Sequence, residues 1–230
     1  MRYKELTFEG RNAVIEAFRS GKTIDKLFIL DGCQDGPIKS IVREAKKTST
    51  IINYVDKERL DRLANTGHHQ GVVAIGAAYE YAEVEDILEA ARSKGEAPFI
   101  FVLDEIEDPH NLGAIIRTAN LAGAHGVIIP KRRAVGLTAT VAKTSAGAIN
   151  YTPVAKVTNI ANTIEALKKE GLWFVCADMG GETMYNLDLK GPIGLVIGNE
   201  GNGVSRLVKE KCDFVASIPM KGDIRSEEHT

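Results

Sequence analysis

The sequence predicts an α/β protein in two parts: a small α/β domain over residues 1–78 and a larger α/β domain over 96–230. Residues 79–95 serve as linker and first helix. Three observations carry this. Apolar runs of strand length alternate with amphipathic runs of helix length twice along the chain, the pattern of sheets crossed by helices. Two of the later runs, LWFVCA and IGLVIG, are apolar throughout, as strands covered on both faces must be. Between the two series, AYEYAEVEDILEAARSKG is acidic and amphipathic and ends in Gly95, a helix stop.

In the first series, Asn12 to Phe18 reads as a short helix closed by Gly21, and Lys26 to Leu30 as a strand. Helix, strand and helix follow over Ile38 to Lys47, Ile51 to Val55 and Lys57 to Ala64, and Gly71 to Ala77 forms a final buried strand. The expected sheet is mixed or parallel.

In the second series, strands are expected over Phe99 to Leu103, Val127 to Ile129, Leu172 to Ala177, Ile193 to Ile197 and Phe214 to Ile218. Helices are expected over Asn111 to Ala122, Thr138 to Ile149, Ala161 to Lys169 and Val204 to Cys212. This is a doubly wound domain, whose ligand sits beyond the carboxyl ends of its strands. Before the second of these elements, Asp108-Pro109 marks a turn, Asn111 stands where a helix N-cap is expected, and Gly123 follows the last periodic residue. Arg117 falls at the flank of the apolar stripe. A guanidinium there pairs with one of the acids of Asp104 to Asp108, or awaits a phosphate or a substrate oxygen.

The loop Gly198-Asn199-Glu200-Gly201-Asn202-Gly203 joins a strand to a helix but is GxxGxG, not the GxGxxG of a dinucleotide fold. Glu200 would repel a pyrophosphate, and the lysine and hydroxyl of a phosphate-gripping loop are absent. A glycine loop carrying an acid suits a ligand with hydroxyls and a cation, as in S-adenosylmethionine.

The string DPHNLGAIIRTANLAG resembles the first signature of the SpoU (TrmH-type) RNA ribose methyltransferases. The glycine loop resembles their second signature, and Ile218-Pro219-Met220-Lys221-Gly222-Asp223-Ile224-Arg225-Ser226 the first half of their third. EGRNAVIEAFRSG and TGHHQGVVA resemble the family's N-terminal substrate-binding domain. The resemblance implies methyl transfer from S-adenosylmethionine to a ribose 2′-hydroxyl of ribosomal or transfer RNA, with a guanosine of large-subunit ribosomal RNA favoured. It implies Arg117, Asn111 and Glu200 as catalytic residues and Ile197, Gly198, Ile218, Met220 and Ser226 at the cofactor. It implies an RNA face including Arg11, Asn12, His69 and Gln70. It also implies a SPOUT-type domain with a trefoil knot and a homodimer. In the family those features use the segment after the third signature; here Ser226 is followed by Glu227-Glu228-His229-Thr230, so the expectation is of a truncated knot segment.

Bulk properties narrow the alternatives. Net charge is −2 and pI about 6.2, which argues against a non-specific polyanion binder but not against a local basic face. Lys131, Arg132, Arg133 and Lys143, with no acid among them, are the candidate for such a face, with Arg132 and Arg133 as RNA contacts. No apolar run spans a bilayer and MRYKELTFEG has no signal core, so the cytoplasm is expected. Cys33, Cys176 and Cys212 form no CxxC pair and read as reduced core residues. No metal is expected, since His68-His69 lacks the spacing that converges two imidazoles. Two rival functions are a non-catalytic RNA-binding protein of this fold and a nucleotide-dependent oxidoreductase. The latter needs an acid at the end of a strand, and Asp213 falls at a strand's beginning.

Overall fold

A computed structural model of the chain describes residues 6–219. These divide into two units: the residues up to Glu80 with Gly136–Ala139, and Tyr81–Val135 with the residues from Thr140 onward. No helix among the described residues is long and apolar enough to cross a membrane.

Unit 1 runs β1 (Leu6–Glu9), α1 (Arg11–Arg19), β2 (Ile24–Leu30), α2 (Gly36–Lys47), β3 (Ile51–Val55), α3 (Lys57–Leu63) and β4 (Val72–Gly76). Its sheet has the order β1-β4-β2-β3. β2 and β3 are parallel, while β4 is antiparallel to both β1 and β2. The sheet is mixed, as anticipated. α2 and α3 begin at aspartates: Asp35 accepts from the Ile38 amide and Asp56 from the Arg59 amide, satisfying donors that a first turn leaves open. Val14, Phe18, Leu27, Ile29, Ile38, Ile41 and Val72 meet in one core. β1 is an addition to the sequence reading. Four residues with one side partly open give too short an alternation to signal a strand.

Unit 2 runs α4 (Val84–Lys94), β5 (Phe99–Leu103), α5 (Pro109–Leu121), β6 (Gly126–Pro130), α6 (Ala139–Thr144), β7 (Val154–Val157), α7 (Ile160–Lys169), β8 (Trp173–Thr183), β9 (Ile193–Ile197), α8 (Arg206–Lys211) and β10 (Phe214–Ser217). All six strands of its sheet are parallel, in the order β10-β8-β9-β5-β6-β7. From β5 the chain proceeds through β6 to β7, then crosses to the other side of β5 for β8, β9 and β10. The reversal falls between β5 and β9, and the loops leaving those two strands therefore emerge side by side, as at a topological switch point.

Three local expectations are corrected. Asn111 is not the N-cap of α5. Asp108 is, accepting from the His110 amide at 2.7 Å, and Pro109 takes the first helical position, where its missing N–H costs nothing. The helix expected over Thr138 to Ile149 breaks after Thr144, because Ala146 (φ 51°) and Gly147 (φ 89°) turn left-handed before a 3-10 turn at Ala148–Asn150. The helix expected over Val204 to Cys212 is confined to α8, since the glycine loop and Ser205 use the residues before it. β7 was not legible: four residues, VAKV, followed by a helix signal look like a loop. The three cysteines are free thiols.

Candidate active site and RNA face

The carboxyl edge of unit 2 is stitched at the switch point. Asp104 follows β5 and is buried, at 4% exposure. Its amide donates to the Ile197 carbonyl (2.8 Å) and its Oδ2 accepts from the Ser205 amide (2.8 Å). A buried carboxylate needs such partners, and here they tie the loop after β5 to the far end of the glycine loop.

Within the glycine loop Asn199 is the hub. Its backbone exchanges two hydrogen bonds with Gly203 (3.0 and 2.8 Å), and its Oδ1 accepts from the amides of Gly201 (2.9 Å) and Asn202 (3.2 Å). Its Nδ2 donates to the Glu105 carbonyl at 3.0 Å. Gly198 and Gly203 are obligatory for this shape. A Cβ on Gly198 would overlap the backbone of Gly203 and Val204, and Gly203 has φ +66°. Glu105 itself is left-handed at φ 60°, a conformation that costs a non-glycine residue about 1–2 kcal/mol. Strain of this kind persists where surrounding contacts over-determine it, often beside functional sites.

Of the residues expected at a cofactor, Ile197 closes β9 and is half-buried, and Gly198 opens the loop. Ile218 follows β10 and is 69% exposed. Met220 and Ser226 lie outside the described residues. Glu200 projects from the loop, exposed and without an ion pair among the described residues.

Arg117 requires a correction. It belongs to an exposed stripe of α5 with Ala114, Thr118 and Leu121, opposite the buried Leu112, Gly113, Ile116 and Ala119. It is not a buried guanidinium. Nor does it pair with Asp104 to Asp108, since its side chain has no partner among the described residues. Arg117 stands eight residues beyond Pro109, roughly 12 Å along the axis at 1.5 Å per residue. Helical side chains lean toward the N-terminus, so its stem is directed back toward the carboxyl edge of the sheet. Asn111 lies nearer that edge, in the first turn, and is half-buried. Gly113 lets α6 approach this turn: a Cβ there would overlap Thr144, whose hydroxyl donates to the Pro109 and Thr140 carbonyls at 3.2 and 2.9 Å.

Of the basic candidates in unit 2, Arg133 is engaged with Glu105 at 2.9 Å, although 75% exposed. Arg132 is exposed and has no ion pair among the described residues. Asp213 precedes β10 at the amino edge, where it accepts from the Phe174 amide (2.9 Å) and pairs with Lys168 (2.6 Å). It is a structural acid at the wrong end of the sheet for an oxidoreductase.

In unit 1 the expected RNA contacts separate into two kinds. Asn12 is exposed. Arg11, by contrast, is committed: its Nη2 pairs with Asp35 (2.6 Å) and its Nε donates to the Gln70 carbonyl (3.2 Å). Gln70 is exposed and left-handed at φ 49°, its Oε1 accepting from the Arg11 amide at 3.4 Å. His69 is corrected from contact to scaffold, being 6% exposed with both ring nitrogens used. Its Nδ1 accepts from the Gly71 amide (3.0 Å), which leaves Nε2 as the protonated nitrogen donating to Asp61 (2.9 Å).

That geometry carries a prediction. His69→Ala strands the Gly71 amide and is expected to cost about 1–3 kcal/mol, measured by urea unfolding. The His69 hydrogen bond, followed by that of Lys57, holds the Asp61 carboxyl below its ordinary range. A carboxyl lowered on folding stabilises above its unfolded pKa of about 3.9 and loses that contribution as pH falls through the lower folded value. His69→Ala should therefore flatten this acid limb.

Among the described residues no group of three or more His, Cys, Asp or Glu could hold a metal ion. The chemistry of the loop fits S-adenosylmethionine: a tight glycine turn leaves its outer face free of side chains at Gly198, Gly201 and Gly203, and Glu200, exposed and without an ion pair among the described residues, offers an anion to a sulfonium or a ribose hydroxyl.

Comparison with known proteins bears on both units. Residues 98–226 match the model of the SpoU rRNA Methylase family, and residues 8–82 that of RNA 2'-O ribose methyltransferase substrate binding. Over 218 residues the chain is 52% identical to "Putative TrmH family tRNA/rRNA methyltransferase YacO" of Bacillus subtilis (strain 168), covering 94% of this chain and 87% of that protein. It is 48% identical over 224 residues to a Staphylococcus saprophyticus protein of the same family description, covering 97% and 90%. Among solved structures it is similar to the SpoU methyltransferase AviRb from Streptomyces viridochromogenes in complex with AdoMet. That likeness has a TM-score of 0.56 at 23% identity, over 96% of this chain and 83% of that one, and is one of fold.

Proposed function

The chain belongs to the SpoU rRNA Methylase family, and from that premise we propose that it methylates a ribose 2′-hydroxyl of RNA with S-adenosylmethionine as donor. Ribosomal RNA is the first expectation and transfer RNA the second. The observation that carries the reading is the joining of two loops at the switch point. The loop after β9 forms a glycine cradle bearing Glu200, and it is bonded through Asn199 and Ser205 to the loop after β5, which leads into the helix bearing Asn111 and the unpaired Arg117.

When bound, S-adenosylmethionine supplies an electrophilic methyl group. The protein's own task is the nucleophile, since a ribose hydroxyl is a weak acid. Arg117 donates hydrogen bonds to the ribose O2′ as negative charge grows on it, and a fixed cation at that atom lowers the cost of losing the proton. Asn111 orients the ribose or Arg117, and Glu200 orients Arg117 or accepts from a substrate hydroxyl. Ile197, Gly198 and Ile218 hold the donor through backbone and apolar contact, with Met220 and Ser226 assigned to the same task. Arg132 meets RNA phosphate, and Asn12 and Gln70 present the RNA face of unit 1. A homodimer is part of the reading: Leu121 (77% exposed) and Tyr151 (81% exposed) are surface that a second copy would cover.

The test is a map of ribose methylations in RNA from cells with and without the gene. One nucleotide losing its 2′-O-methyl group, restored by the purified protein with S-adenosylmethionine on unmodified transcript, is the expected result. An unchanged map together with no methyl transfer in vitro would remove the reading.

A further inference from the structure

Unit 1 holds a cavity of about 410 Å³ that the proposed reaction does not use. Asp31 and Gln34 from the loop after β2, Ile38, Lys39 and Val42 from α2, and Tyr54 from β3 surround it. It opens at the carboxyl ends of two parallel strands, where Ile29 stands beside Tyr54 and Leu30 beside Val55, the edge at which open α/β sheets gather ligands.

The wall chemistry narrows the ligand. Tyr54 lies on edge strand β3 and is 57% exposed. It is two residues from Ile52, which packs on the core that includes Ile38 and Ile41. Alternation then directs the Tyr54 ring to the face covered by α2. An exposed phenol ring with the apolar Ile38 and Val42 on the facing helix makes a slot for a flat ring. At its rim stand Lys39, exposed and without an ion pair among the described residues, and the exposed Asp31 and Gln34. An aromatic face, one cation, and an amide and carboxylate at the edge form the set that recognises an unpaired base: stacking holds the ring, the rim reads its hydrogen-bonding edge, and the cation meets a phosphate. The volume falls within the range of about 300–1,000 Å³ for small-ligand sites.

We propose that this cavity receives a splayed, unpaired nucleobase of an RNA strand, with Lys39 on an adjoining phosphate. The proposal rests on the reading of the protein as an RNA-modifying enzyme and adds a substrate subsite to it.

The full chain, irradiated with short single-stranded RNA of mixed sequence carrying 5-iodouridine, should give an adduct on Tyr54 in peptide mass spectra. Tyr54→Ala should weaken binding of the same RNA about tenfold, the effect of losing one base stack, while Tyr54→Phe keeps parental affinity and both melt with the parent. No adduct on Tyr54, or Tyr54→Ala within about twofold of the parent, overturns the proposal. So does saturation of the cavity by free uridine monophosphate with no RNA adduct at Tyr54, which would assign it to a mononucleotide. These readouts are of binding alone. An adduct at Tyr54 with no methyl transfer to any RNA removes the enzymatic reading and leaves the slot, and methyl transfer without the adduct removes only the slot.

Discussion

Arg117→Ala is expected to lower the rate of methyl transfer at saturating RNA by about 10²-fold or more while leaving S-adenosylmethionine affinity unchanged. Removing one preorganised donor to a developing oxyanion has an effect of this size. Two features of α5 make the experiment clean. The side chain is exposed and has no partner among the described residues, so its loss should change stability by no more than about 0.5 kcal/mol. The buried stripe of Leu112, Ile116 and Ala119 that seats the helix is untouched. Arg117→Lys keeps the charge but not the planar fork, and should recover only part of the rate. Single-turnover measurement with calorimetric titration of the cofactor checks both. Near-normal transfer by Arg117→Ala with intact cofactor binding would take Arg117 out of the mechanism.

Much of this site was legible in the sequence because its signals are local. Asp108-Pro109 and the periodicity to Leu121 specify a turn and a helix without reference to the rest of the chain, and in GNEGNG the first and last glycines, Gly198 and Gly203, specify a turn that other residues at those two positions could not make. What was hidden depends on pairing between segments far apart. Asp104 read as one acid among several; its burial and its bond to Ser205, 101 positions away, exist only once β5 and β9 are neighbours. Asn199 carried a local clue, an asparagine ahead of Gly201 suited to bonding amides two and three residues on, but its bond to Glu105 did not. Arg117 read only as flanking the apolar stripe, because spacing gives an angle around a helix and not the edge of what covers it. The rings of His68 and His69 are equivalent in sequence; the fold buries the second, between Asp61 and the Gly71 amide, and exposes the first.

The same distinction between local shape and long-range contact bears on Gly198→Ala, whose effect should fall on the cofactor before the RNA. The three nearest atoms that the new Cβ would meet, at 2.2–2.3 Å, all belong to the backbone of Gly203 or Val204, so no rotamer change relieves the overlap and the loop must open. Opening it lengthens the paired bonds between Asn199 and Gly203 and draws Asn199 from Glu105. Overpacking of this kind costs about 1–3 kcal/mol, read as a lower urea midpoint. S-adenosylmethionine affinity should fall by more than about tenfold, because the loop's backbone shifts as one hydrogen-bonded unit. Gly201→Ala is the control. Its Cβ would meet only Asn199 Oδ1 at 3.6 Å, and its φ is not left-handed, so stability and affinity should stay near the parent's. Were Gly201→Ala as damaging as Gly198→Ala, the loop would be sensitive to any added bulk and the cradle geometry would lose its explanatory force. Were Gly198→Ala to bind S-adenosylmethionine like the parent, the donor would have to lie elsewhere on the carboxyl edge, and the catalytic assignments of Asn111, Arg117 and Glu200 would fall with it.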